Sequence, residues 1–185
     1  MPNDSDRQLV QRSIGGETKA YGMLVQQHQN SVFNVCYRML GEYQHAEDLT
    51  QDTFIRAYQR LDTFDLDRPY GPWIRRIATN LCLNHLNKKQ PTTQPLEDEL
   101  IISAPSHSIN PERAQEHLER KEVILQALLE LPPHYRTVIE LRHYQDMNYQ
   151  EIAETLDLSL NTAKSHLFRA RKLLAKKLEN LHEYV

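Results

Sequence analysis

The chain has 185 residues, 39% of them hydrophobic and 25% charged, with a formal net charge of -3. That length admits one medium domain or two small ones, and the composition is that of a globular protein with an aqueous surface. No apolar run approaches ~18 residues, so no transmembrane helix is predicted. The polar start, Met-Pro-Asn-Asp-Ser-Asp, lacks the basic and apolar regions of a secretory leader.

Charge is unevenly spread. Residues 1–90 carry 11 basic and 10 acidic side chains, residues 91–120 carry 2 and 6, and residues 121–185 carry 9 and 9. Within the last part the acids come early and the bases late, so the overall charge does not argue against a polyanionic ligand. Cys36 and Cys82 stand alone, each within a helical apolar pattern. They match no metal spacing and read as buried thiols of a reducing compartment.

In chain order, the periodicity predicts helices over 5–13, 17–39, 43–60 and 72–88, with Gly15-Gly16 and Gly41 separating the first three and a break near Asn30-Ser31. Pro91, Pro95, Pro105 and Pro111 then punctuate a stretch rich in Ser, Thr, Gln and acids, which is a linker composition. Further helices are predicted over 112–130, 133–144, 148–155 and 159–180. Asn110-Pro111-Glu112 reads as a helix start, and Pro132-Pro133 ends one helix and opens the next. No segment alternates like a strand. The expected fold is all-α: two small helical domains, 1–89 and 112–185, joined by an acidic, proline-containing linker over 90–111.

The helix over 43–60 has a core side of Ala46, Thr50, Thr53, Phe54, Ala57 and Leu61. Its other side carries Asp48, Gln51, Asp52, Ile55 and Gln59, flanked by Glu47 and Arg56. An acidic face around one apolar side chain suits protein docking; it also fits an ordinary wet helix face.

The segment Asp65-Leu-Asp-Arg-Pro-Tyr-Gly-Pro-Trp-Ile-Arg-Arg-Ile-Ala-Thr-Asn80 and its continuation bury Ile74, Ile77, Ala78, Leu81 and Leu86. A second stripe runs through Trp73, Arg76, Asn80, Asn84 and Asn87. Aromatic, guanidinium and amide groups in one row can stack on bases, grip phosphate and bond base edges. Tyr70, between Pro69 and Pro72 and beside Gly71, reads as a stiff, exposed loop aromatic able to hold an unstacked base. A core role for Trp73 is the competing reading.

Residues 148–178 read as a helix-turn-helix. Asn148 and Glu151 form a reciprocal cap, Asp157 and Leu158 the turn, and Ser159 the second cap. In the second helix Leu160, Ala163, Leu167, Ala170, Leu174 and Leu178 make one buried stripe, opposite Thr162, Ser165, His166, Arg169, Lys172 and Lys176, while Leu173 fits poorly. Ser159 to Leu178 holds six Lys or Arg and no acid. That bias suits a polyanion, although a solvated amphipathic helix is the plainer alternative.

Together these segments resemble an extracytoplasmic-function (ECF) sigma factor of the sigma-70 family, a small initiation subunit of bacterial RNA polymerase. Val32-Phe-Asn-Val-Cys-Tyr-Arg-Met-Leu-Gly41 with Ala46-Glu-Asp-Leu-Thr-Gln-Asp-Thr-Phe-Ile-Arg-Ala-Tyr58 is similar to the family's region 2. Phe64 to Asn84 is similar to its promoter-melting part. Leu131-Pro-Pro-His-Tyr-Arg-Thr-Val-Ile-Glu-Leu-Arg142 with the helix-turn-helix is similar to region 4.

The resemblance implies docking on the clamp helices of the polymerase's largest subunit by Glu47, Asp48, Gln51, Asp52, Ile55 and Arg56. It implies minus-10 recognition and opening by Arg68, Tyr70, Trp73, Arg76, Asn80 and Asn84. It implies minus-35 reading by Thr162, Lys164, Ser165, His166, Phe168, Arg169, Lys172 and Lys176. Its acidic linker, Glu97, Asp98 and Glu99 included, would thread the polymerase cleft. The flap of the second-largest subunit and an anti-sigma factor are the further partners implied, in the cytoplasm, with no cofactor, metal, membrane contact or catalytic residue. Asn161-Thr162-Ala163 replaces the family's usual Gly-Thr-Val, and Pro69 and Pro72 stiffen the melting loop; both bear on promoter sequence.

Two other readings compete. A response-regulator or quorum-type regulator would share the helix-turn-helix but leave the first 90 residues without a role. An enzyme finds no phosphate loop, nucleophile elbow or paired His at metal spacing; His134 and His143 do not share a helical face.

Overall fold

The computed structural model describes residues 4–89 and 113–182. Contacts divide the chain into Met1–His85 and Leu86–Val185. The linker with its acids and the Asn110-Pro111-Glu112 start lie outside the described residues. No described residue is in a strand, and no described helix is long and apolar enough to cross a membrane.

The first unit is built from α1 (Asp4–Ile14), α2 (Thr18–Leu40), α3 (Tyr43–Gln59), a 3-10 turn (Leu61–Thr63) and the body of α4 (Tyr70–Lys89). Gly16 turns the chain out of α1 at φ 92°, and Gly41 closes α2 at φ 75° with its N–H on the Tyr37 carbonyl, conformations that a side chain resists. Arg12 and Glu17 clamp the α1–α2 turn through Nε at 2.8 Å.

Contrary to the sequence expectation, α2 does not break at Asn30-Ser31. The Ser31 hydroxyl donates to the His28 carbonyl at 3.1 Å, so it is absorbed within the helix, and buried Val32, Val35, Cys36 and Met39 hold the following turns down. Helix α4 begins at Tyr70, two residues before the predicted start at Pro72. Pro72 then sits in the first turn, where a missing N–H breaks no helical bond. Both cysteines are buried free thiols.

The second unit comprises α5 (Arg113–Leu129), α6 (Pro133–Ile139), which widens into a π turn over Glu140–Tyr144, α7 (Tyr149–Leu156) and α8 (Leu160–His182). The predicted 133–144 helix is therefore only partly regular: Gln145 N–H reaches the Glu140 carbonyl at 3.2 Å, and Asp146 follows at φ 55°. The core joins Leu128 and Leu131 to Val138, Ile139 and Leu141, to Ile152 and Ala153, and to Ala163, Leu167 and Ala170 of α8.

Arg136 ties α6 to the end of α5. Its buried guanidinium donates to the Leu128 carbonyl at 3.0 Å, the Leu131 carbonyl at 3.1 Å and the Leu129 carbonyl. It thus serves the Leu129 and Leu131 carbonyls at and just past the end of α5, and adds a second donor to the Leu128 carbonyl, which already accepts from the Leu131 N–H at 3.0 Å. Burial brings its pKa down to about 10, still charged at neutral pH. On the opposite side, His134 contacts Tyr135 and His166 of α8, with ring centroids 4.1 and 5.3 Å away. Burial first, then His166, lowers the His134 pKa.

Two predictions follow from this packing. Replacing Arg136 with Met keeps the volume but takes this donor from the Leu129 and Leu131 carbonyls, and should cost about 2–3 kcal/mol. Arg136→Lys should not restore it, because one ammonium cannot match a planar fork; urea unfolding followed by hydrogen exchange on α5 and α6 measures both. The unfolded state binds more protons than the folded one wherever His134 is held below its ordinary value. Stability of this unit is thus complete above about pH 6.5 and falls as pH drops through the lowered pKa. Hydrogen exchange of the full chain at pH 7 and pH 5 should show α6–α8 protection declining on acidification, and His134→Gln should reduce that decline but not abolish it, because burial, Arg171 and Arg142 also lower the His143 pKa.

Candidate nucleic-acid interface

Two of the faces read from the sequence are presented as expected. On α3, buried Ala46, Leu49, Thr53, Phe54 and Ala57 fix the helix rotation. Glu47, Asp48, Gln51, Asp52 and Arg56 consequently face out around Ile55, which is 57% exposed. An isoleucine left that open inside an acidic field is a candidate anchor with a polar rim.

On the helix-turn-helix, the Asn148 side chain accepts from the N–H groups of Gln150 at 2.9 Å and Glu151 at 3.0 Å, while the Glu151 carboxylate accepts from the Asn148 N–H at 2.7 Å. The turn passes through Asp157 at φ 54° and ψ 47°. Ser159 Oγ accepts from the Thr162 N–H at 3.1 Å and contacts the Thr162 hydroxyl at 2.8 Å. With Ala163, Leu167 and Ala170 buried, Lys164, Ser165, Arg169, Lys172 and Lys176 are exposed, and Phe168 is 72% exposed. The outer side of α8 is thus basic, with one bare aromatic ring among the charges.

Three sequence readings are corrected here. Tyr70 is not an exposed loop aromatic: it is 1% exposed and packs between Phe64, Trp73 and His28, with centroids 5.7, 5.5 and 5.2 Å away. Burial chiefly, then Tyr21 and Asp6, push its phenol far above the ordinary range, so the hydroxyl stays neutral. His166 does not share the open face with Arg169. It is half-buried against His134 and Tyr135, because α6 covers that flank of α8. Leu160 is 37% exposed at the first turn of α8 rather than in the buried stripe, whereas Leu174 packs against the core as read.

The second stripe of the first unit is graded in exposure. Trp73 is half-buried beside Phe64, 4.9 Å between centroids, and Arg76 and Asn80 are half-buried, while Asn84 and Asn87 are exposed. The loop before α4 is organised by Asp65, whose carboxylate accepts from the Asp67 N–H at 3.0 Å and pairs with Arg68 at 3.3 Å. Arg68 remains exposed at its tip.

Some organising contacts escaped the sequence reading. Tyr149 lies near two cations, Arg142 at 5.8 Å and Lys164 at 6.0 Å from its ring centroid. Arg171 Nε donates to His143 at 3.3 Å. Asp6 occupies the buried stripe of α1 and meets His28 at 3.1 Å. The last had a visible signal, since a carboxylate among Leu9, Val10 and Ser13 at helical spacing demands a buried partner.

Comparison with known proteins places the chain in a family. The sigma-70 region 2 family model matches residues 24–92, and the sigma-70 region 4 model matches residues 121–174. The ECF RNA polymerase sigma factor SigW of Bacillus subtilis is 35% identical over 175 residues, covering 90% of this chain and 92% of that one. The RNA polymerase sigma-H factor of Pseudomonas aeruginosa is 30% identical over 188 residues, covering 98% and 97%. Among solved structures, CnrH in complex with the cytosolic domain of CnrY aligns with a TM-score of 0.64 at 28% identity, over 96% of this chain and 99% of that chain. The sigma factor RpoE of Bartonella quintana, solved with the anti-sigma factor NepR, shares the fold at a TM-score of 0.61 and 21% identity, over 87% and 98%. A regulator built only around a helix-turn-helix would leave the region 2 match unexplained, and that reading is set aside. The chain belongs to the ECF sigma factors of the sigma-70 family, and is an alternative sigma factor that initiates transcription rather than an enzyme.

Proposed function

We propose that α3 docks on the clamp helices of the polymerase's largest subunit through Glu47, Asp48, Gln51, Asp52, Ile55 and Arg56. The observation that carries this reading is Ile55, exposed at the centre of an acidic helix face whose rotation the buried side leaves no freedom to change. In the same scheme Arg68, Trp73, Arg76, Asn80 and Asn84 act on the minus-10 element, with Tyr70 supporting Trp73 from behind. Lys164, Ser165, Phe168 and Arg169 face the bases of the minus-35 element, Lys172 and Lys176 its phosphates, and Thr162 holds the start of α8. The 1–89 and 112–185 domains act as separate DNA-binding bodies joined by the 90–111 linker. The second body also meets the flap of the second-largest subunit. This places the work in the cytoplasm, with an anti-sigma protein as the partner that would withhold the chain from polymerase. The complexes of CnrH with CnrY and of RpoE with NepR support such a partner for members of this fold.

Ile55→Glu combined with Asp48→Arg should weaken core polymerase binding by about 30-fold or more, the scale of a hot-spot loss, with helicity unchanged. Unchanged affinity in a fluorescence titration removes the α3 assignment. For α8, Arg169→Ala should cost about 1–3 kcal/mol and flatten the preference at one minus-35 base pair. Lys176→Ala should instead weaken all sequences alike and reduce the salt slope by about one. Binding-site selection on both variants distinguishes them. Uniform weakening by Arg169→Ala makes that residue a backbone contact and shows the helix to be turned differently in the groove.

A further inference from the structure

Helix α1 buries a charge. Asp6 is 8% exposed and lies on the same stripe as buried Leu9, Val10 and Ser13. A carboxylate in that setting is costly unless bonded, and one oxygen, Oδ2, lies 3.1 Å from His28 Nε2 on α2. The other oxygen is buried without a hydrogen-bond partner among the described residues, and the buried Tyr70 hydroxyl interacts with Tyr21. The Asp6 charge is felt at that phenol.

The contacts continue from this pair into the start of α4. The His28 ring stands edge-on to Tyr70. Gly71 lies directly against it: a Cβ there would stand 3.4 Å from His28 Cε1, in van der Waals contact, and 3.3 Å from Nη1 at the flexible end of Arg75. Tyr70 in turn packs on Trp73, and both meet Phe64. On the outside Arg7 approaches Asp67 in the preceding loop at 3.7 Å. A helix distant in sequence thus bears on the first turn of α4 from behind through one buried pair and one surface pair.

We propose that Asp6 and His28 are positioning residues for promoter opening, setting the orientation of the first turn of α4 and of Trp73 without touching DNA. The proposal rests on the assignment of α4 to the minus-10 element. Its physical basis is that a small misplacement of a reacting or opening group costs far more in rate than in stability. A merely structural role for the pair predicts the reverse.

The chain's single tryptophan is Trp73, so its fluorescence reports this position alone. Asp6→Leu is the decisive variant. It completes the apolar stripe of α1 and removes a buried charge, changes that leave a helical core at least as stable, yet it severs the link to His28. Expected are a melting temperature at or above the parent's, Trp73 emission moved to longer wavelength with greater iodide quenching, core polymerase affinity unchanged, and promoter opening by the holoenzyme slowed about tenfold. His28→Ala, approached from the other helix, should behave likewise, and His28→Gln, which keeps a donor at similar reach, should restore parental emission and opening.

Parental Trp73 emission in both Asp6→Leu and His28→Ala overturns the proposal. So does shifted emission with opening at the parental rate, provided Asn80→Ala slows opening. If Asn80→Ala opens promoters normally, the α4 assignment fails instead, and the emission of Asp6→Leu still decides the positioning claim: a shift supports it and no shift overturns it.

Discussion

The small residues on the buried stripes of α3 and α8 are the constraint on which the rest depends. Ala163 and Ala170 flank Leu167 where α8 meets α6 and α7, and Ala46 and Ala57 do the same for α3. Side chains this short allow close helix approach, and they leave only one rotation that buries no charge. Turning α8 by one residue, about 100°, would drive Lys164 or Arg171 into the core at prohibitive cost. The identity of the outward face is therefore decided by what is inward, and the acidic face of α3 and the basic face of α8 follow from alanines that touch neither polymerase nor DNA.

Much of this was legible because it is local. Asn148, Glu151 and Ser159 announce two helix starts by chemistry that operates within one turn, and the structure closes both caps as read. The exposed side of α3 was equally plain, since its period is regular and its partners small. The misreadings arise where a distant helix intervenes. Pro-Tyr-Gly-Pro has the composition of an exposed loop, but the first turn of a helix tolerates proline, and His28 from α2 covers Tyr70. His166 lies on the outer side by angle alone; α6, bringing His134, encloses that flank. Arg136 would pass for a surface cation on any helical wheel, and only the neighbouring end of α5 explains its burial.

Both units place an ionic group at a junction between helices rather than on a packing face. Arg136 serves the carbonyls at the end of α5, and Asp6 with His28 joins α1 to α2 behind α4. Cores of this size have few apolar contacts to spare, and directional bonds at junctions specify the angle between helices where a uniform apolar seam would allow sliding. The functional consequence is a division of charge. Acid is displayed on the outer face of α3 and base on the outer face of α8, and a net charge of -3 conceals both.

The most direct measurement is run-off transcription with core polymerase and the purified chain on a library of randomised upstream sequences, with the transcripts sequenced. The account predicts transcripts that depend on the chain, that begin downstream of two separated conserved elements, and that disappear when α3 can no longer dock although α8 still binds DNA. A chain that binds the selected DNA tightly but yields no transcript beyond core polymerase alone would contradict it.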